Sequence, residues 1–139
     1  MEDIGFLLMD LTKRLKTALN HALGPDALTI SQWTVVAAIH RQTAPVTSAA
    51  VAASVGMDKP TVSGIVQRLA DKQLVVLTPV PADHRARQLT LTPAGQHAYA
   101  ACAGVAEDTV AAFLAPLDAA AQQQLADLLT TLERAHAHD

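Results

Sequence analysis

Apolar residues recur at helical spacing along most of this chain and change to alternation in one short stretch. Ile4, Leu7, Leu8, Leu11 and Leu15 lie on one face of a first helix running from about Asp3 to Leu23, which Gly24-Pro25 stops. Thr29-Ile-Ser-Gln32 is a capping-box pattern that opens a second helix, with Trp33, Val36, Ala37 and His40 along one face. Thr47 caps a short third helix that ends at Gly56. Asp58 caps a fourth, with Pro60 in its first turn, where the missing N–H is harmless. Beyond Lys72, Leu74 to Val80 is rich in β-branched residues and Arg87-Gln-Leu-Thr-Leu-Thr92 alternates, as paired strands do; Pro81 to Ala86 reads as a polar turn between them. Thr92-Pro93 opens a long helix that Pro116 ends. Asp118 caps a last helix carrying Leu125, Leu128, Leu129 and Leu132 in one stripe.

The segment from Val51 to Ile65 carries the most information. Two short helical patterns flank Gly56, which supplies the positive φ of a sharp turn, and Ala52 is small enough to let the second helix cross closely. Val62, Ile65, Val66 and Leu69 form an i, i+3, i+4, i+7 stripe on the second helix. This is the pattern of a helix-turn-helix, whose second helix enters a DNA major groove. With two antiparallel strands placed just after it, the fold class is mainly α with a small β-wing.

Composition restricts the alternatives. At 139 residues the chain suffices for one domain, and with aromatics at 3% its core must be built from Leu, Val, Ile and Ala. A single cysteine, Cys102, excludes an internal disulfide and a cysteine-based zinc site, and fits a reducing cytoplasm. No run approaches the length of a membrane span, and the chain opens on Glu2 and Asp3 rather than on a basic flank, so a cytoplasmic protein is expected. The formal net charge of −3 argues against a nucleic-acid partner only until its distribution is considered. From Asp58 to Gln88 five basic residues face three acidic ones; from Ala101 to Asp139 one arginine faces six acids. Local potential governs phosphate contact, and the basic segment coincides with the helix-turn-helix.

The motifs Leu28-Thr-Ile-Ser-Gln-Trp33, Asp58-Lys-Pro-Thr-Val-Ser63 with Arg68-Leu69, Leu74-Val75, and Asp83-His-Arg85 followed by Leu91-Thr-Pro-Ala-Gly95 stand in order along the chain. On these the chain resembles the MarR family, dimeric winged helix-turn-helix transcription factors. The resemblance implies a single MarR-like domain over residues 1–139, with the DNA-binding part at 29–92 and dimerisation helices at 1–24 and 93–139. Two positions depart from the family's pattern. Gln73 stands where a glycine usually ends the recognition helix, at a cost of about 1 kcal/mol if it must be left-handed. Gly64 stands where many members carry arginine.

On a helical wheel, Pro60, Ser63, Gly64, Gln67, Arg68 and Asp71 lie on or near the outward side of the fourth helix. Gln67 can bond adenine bidentately, Ser63 and Thr61 can reach base edges or phosphates, and Lys59 and Arg68 suit phosphate. Gly64 allows close backbone approach to the duplex. Arg85, at the wing tip, can enter a narrow minor groove, with Asp83 holding its guanidinium through paired hydrogen bonds and Arg87 adding phosphate contact. The resemblance assigns the same roles to Asp83 and Arg85. The competing reading of each set is plainer, a solvated polar face and an exposed hairpin ion pair.

The leucine stripes of the first and last helices exceed what one small winged domain covers, which implies a partner surface. The resemblance makes that partner a second copy, so that a homodimer reads a pseudo-palindromic operator in double-stranded DNA. It also implies a small aromatic or phenolic acid effector that releases a repressor. Lys13, Arg14 or Lys16 would pair with its carboxylate, and Trp33 and His40 would line an apolar wall; Trp33 as plain core and the three cations as a solvated face are the alternatives. No cofactor, metal set or catalytic constellation is expected, and His136 and His138 are given no metal role. The rival of another class is a winged-helix module that binds protein without binding DNA.

Overall fold

All five capping residues read from the sequence accept a backbone N–H at the start of a helix. The computed structural model describes residues 3–24 and 28–137, the His84 side chain apart; Glu2, Pro25 and His138, on which readings above depend, lie outside the described residues. The elements run α1 (Ile4–Leu23), α2 (Ile30–Arg41), α3 (Ser48–Val55), α4 (Lys59–Asp71), β1 (Val75–Val80), β2 (Asp83–Leu91), α5 (Pro93–Leu114) and α6 (Ala119–His136). Thr29 and Gln32 form the complete capping box of α2. Thr47, Asp58, Thr92 and Asp118 cap α3, α4, α5 and α6. Asp3 does the same for α1. Each such cap contributes about 1 kcal/mol.

Helices α2, α3 and α4 enclose the core. The side chains of Val35, Val36, Val51, Val62, Val66 and Leu69 are fully buried there, each worth roughly 1.5–3 kcal/mol relative to exposure. Ala52 is buried at the α3–α4 crossing and Gly56 makes the turn at φ 70°. The whole predicted stripe of α4, Val62, Ile65, Val66 and Leu69, is inward. Trp33 is half-buried against the core and His40 is exposed, stacked on Tyr99 of α5 at 4.1 Å between ring centroids.

The wing departs from expectation at its tip. β1 pairs antiparallel with β2, and β2 begins at Asp83 rather than Arg87, so the turn is only Pro81–Ala82. The register runs regularly from Val75↔Leu91 to Pro79↔Arg87 and then slips to Val80↔Asp83. Residues 84–86 therefore have no opposite number on β1. They bulge, which tightens the local twist and re-aims the side chains of the tip.

Gln73 is left-handed, with φ 62°, so the condition attached to its cost is met. Its N–H donates to the Ala70 carbonyl at 2.9 Å and the Leu74 N–H to the Leu69 carbonyl at 2.9 Å, the paired bonds of a Schellman ending. The Thr92 hydroxyl donates to the Gln73 carbonyl at 2.7 Å and holds this strained residue from the other side. Gln73→Gly removes the strain and keeps each of these main-chain bonds, so it should raise the unfolding free energy by about 1 kcal/mol. Urea denaturation measures this; an unchanged or lower stability would mean that the left-handed glutamine is not strained.

Helix α5 packs along α1, and α6 turns back beyond Pro116. Among the described residues no single helix is long and apolar enough to cross a membrane. Ile4, Leu7, Leu8 and Leu11 of α1 and Leu128, Leu129 and Leu132 of α6 are exposed, and Leu125 is half-buried. The two leucine stripes therefore remain largely uncovered by the chain's own fold.

Candidate nucleic-acid interface

The start of α4 is fixed by one carboxylate with two bonds. Asp58 accepts the Thr61 N–H at 2.7 Å and the Thr61 hydroxyl at 2.8 Å. These bonds, the backbone one first, hold the Asp58 carboxyl below its ordinary range. A depressed pKa means that this cap is present above the ordinary carboxylate range and is lost as pH falls through the lowered value. Because Thr61 gives its hydroxyl proton to Asp58, that oxygen faces outward as an acceptor. It is thereby suited to accept a hydrogen bond, as from a base amine.

From this start, α4 presents an exposed row. Thr61, Ser63, Gly64, Gln67 and Arg68 are all exposed, with Lys59 and Pro60 in the first turn. A Cβ added at Gly64 would meet nothing within 4 Å beyond the helix's own adjoining backbone, so the helix surface is open there. Gln67 is not free: its amide nitrogen donates to Asp71 at 3.1 Å.

The wing meets the helix-turn-helix across a cleft of about 440 Å³, lined by Thr47 and Ser48 of the α3 start, Lys59 and Ser63 of α4, and Asp83, Arg85 and Arg87 of β2. Five of the residues singled out in the sequence thus line one concave surface. Pro60, Thr61, Gly64, Gln67 and Arg68 lie outside that cleft, along or beside the outer face of α4. Thr47 was read only as a helix cap and Ser48 was not singled out; their hydroxyls at a helix N-terminus facing a basic hairpin were the available signal. Lys59, Arg85 and Arg87 form no ion pair among the described residues, so three cations face one carboxylate in the cleft.

The expected Asp83–Arg85 guanidinium pair is absent. Asp83 accepts instead from the Arg85 backbone N–H at 3.0 Å. A short carboxylate at the start of a bulge reaches the main chain two residues on more readily than the end of a long side chain, and closes an Asx turn. The carboxylate therefore shapes the tip and leaves the guanidinium without a carboxylate partner among the described residues.

The five residues read as an effector site do not converge. Lys13 and Lys16 line a shallow hollow on α1 with Leu8, Met9 and Thr12. Arg14, one residue round the helix, bonds Asp10 at 2.8 Å, and this ion pair raises its pKa. Trp33 lies on α2 with its Nε1 buried and unpartnered, and the His40 Nδ1 lies 3.3 Å from Gln96 Oε1. Helical periodicity assigns each residue a face but not which faces oppose one another. Cys102 is buried on α5.

A family model described as the MarR family matches residues 28–86. The fold is also similar to a probable transcriptional regulator from Pseudomonas aeruginosa, at 29% identity and a TM-score of 0.84, covering 94% of this chain and 97% of that one. Similar too is BpsR of Bordetella bronchiseptica, whose DNA binding is regulated by 6-hydroxynicotinic acid, at 26% identity and a TM-score of 0.85 over 95% and 99% of the two chains. CouR of Rhodococcus jostii, solved with p-coumaroyl-CoA bound, matches at 27% identity and 0.82 over 94% and 92%.

Proposed function

This chain is a MarR-family winged-helix regulator, and from that premise we propose that it acts as a homodimeric repressor of transcription that an aromatic acid-type effector releases from its operator. The observation that carries the DNA-binding part is the cleft itself. Lys59, Arg85 and Arg87, which form no ion pair among the described residues, line it where the wing meets the capped recognition helix. α4 would lie in the major groove, with Gln67 and Ser63 toward base edges and Lys59 and Arg68 toward phosphate. The bulged tip would carry Arg85 into the adjacent minor groove, with Arg87 on the backbone.

Residues 29–92 form the DNA-binding part in this reading, and residues 1–24 and 93–139 the dimerisation part. The uncovered leucines of α1 and α6 support a two-fold dimer over a pseudo-palindrome. Effector control is supported by the two relatives whose ligands are aromatic acids or their thioesters. A ligand that favours one spacing of the two recognition helices would detach the dimer by shifting its population. Lys13 and Lys16 of α1 remain the cations best placed for an acidic ligand, since Arg14 is occupied by Asp10.

The test is Arg85→Ala, followed by fluorescence anisotropy on operator DNA at fixed salt. Affinity should fall by roughly 1–3 kcal/mol, the worth of a lost groove contact, with the fold and the dimer unchanged. Equal affinity would remove the wing from the interface.

A further inference from the structure

The outer face of α4 carries an acidic residue where two effects disfavour it. Asp71 ends the helix, at the negative end of its dipole, and lies on the face that the proposed reading turns toward a polyanion. What it does there is bond Gln67, whose Nε2 donates to Asp71 Oδ1 at 3.1 Å. An ionised carboxylate only accepts, so this bond settles which way the amide points: the NH₂ group faces Asp71 and the opposite oxygen does not. On the other side of Gln67, toward the helix N-terminus, Gly64 leaves open space.

We propose that Asp71 is a positioning residue for base selection, fixing the polarity of the Gln67 amide so that the recognition helix selects adenine against guanine. One N–H of Gln67 is held by Asp71. What remains is one acceptor, Oε1, and one donor N–H. Adenine offers the matching edge in the major groove, the N6 amine as donor and N7 as acceptor. Guanine offers two acceptors, O6 and N7, and satisfying both would need both N–H groups or would set Oε1 against O6. An amide free to turn about its last torsion could reverse its ends and lose this discrimination; one tied to a carboxylate cannot without breaking the bond. An ordinary i, i+4 pair would stabilise the helix slightly and do no more, so the readout must be base preference rather than stability.

This inference rests on the DNA-binding reading, and the experiment separates their failures. Full-length wild type, Asp71→Asn, Asp71→Ala and Gln67→Ala are titrated against operator duplexes in which each half-site position carries A·T or G·C in either orientation. Wild type should show one position per half-site where adenine is preferred to guanine by roughly tenfold or more. Gln67→Ala should abolish that preference. Asp71→Asn keeps an i, i+4 partner but accepts either end of the amide, so it should reduce the preference to about twofold while binding both sequences at least as tightly. Asp71→Ala should do the same, and adding Gln67→Ala to it should remove only the remaining, about twofold, preference. A preference that survives both Asp71 substitutions overturns the positioning role and leaves only a helix-surface pair. A wild type that binds no duplex, or all duplexes alike, overturns the regulator reading and this inference with it, before any variant is compared.

Discussion

Gly95→Ala is expected to destabilise the chain by about 1–3 kcal/mol, the usual range for forcing an extra methyl into a packed site. The start of α5 is pressed against the end of the recognition-helix unit. The Thr92 N–H donates to the Leu74 carbonyl at 3.0 Å, the Thr92 hydroxyl donates to the Gln73 carbonyl, and the same hydroxyl accepts the Gly95 N–H at 3.0 Å. A methyl on Gly95 would collide with the Leu74 carbonyl oxygen and lie 3.1 Å from its carbonyl carbon. Both are main-chain atoms already committed to this knot, so no side-chain rotation relieves the overlap. Alanine's better helix propensity offsets at most about 1 kcal/mol, and the clash wins. Because the same knot supports the left-handed Gln73, the variant should also disturb the end of α4 and weaken operator binding. Urea unfolding measures the first effect and anisotropy the second. Stability equal to wild type would show that α5 slides away from Leu74 at no cost.

The largest loss of DNA affinity is expected from the double substitution Leu128→Glu and Leu132→Glu. These side chains are 59% and 51% exposed in the single chain, so charges there leave the intramolecular packing intact. In the proposed dimer they face the partner's helices, where four new carboxylates would be desolvated and mutually repelled. Sedimentation should then give the mass of one chain. Binding to the two-half-site operator should drop by ~10²-fold or more, since joining two recognition helices converts the second contact into an intramolecular one. A dimer that survives would place the interface elsewhere and leave these leucines as ordinary surface residues.

Local chemistry was the legible part of this chain. Caps act within three residues, so Thr29, Thr47, Asp58, Thr92 and Asp118 could be assigned from neighbours alone, and the α4 stripe followed from its period. The left-handed Gln73 was raised only as a condition, through the glycine that the resembling family usually carries there, and not from the residues themselves. The wing tip was not legible. The alternation that marks a strand fails over residues 84–86 because they bulge, and the tip therefore looked like a longer turn. The Asp83 bond was misassigned between two donors on the same residue, a choice that depends on the turn geometry and not on spacing. The effector set of Lys13, Arg14, Lys16, Trp33 and His40 spans two helices, and spacing carries no rule for how those helices face each other. The Gln67–Asp71 pair lies at simple i, i+4 spacing, and it was passed over because each residue was read singly against DNA.

The most direct measurement is a titration of the full chain, followed by anisotropy, onto two duplexes at two salt concentrations. One duplex carries an inverted repeat from its own promoter region; the other has the same composition with both half-sites scrambled. A sequence-reading dimer with Lys59, Arg68, Arg85 and Arg87 on the duplex binds the repeat at least ~10³-fold more tightly than the scrambled duplex. On both duplexes affinity falls steeply as salt rises, through release of counterions. Equal affinity for the two duplexes, or binding to neither at low salt, would contradict the assignment of this fold to operator recognition.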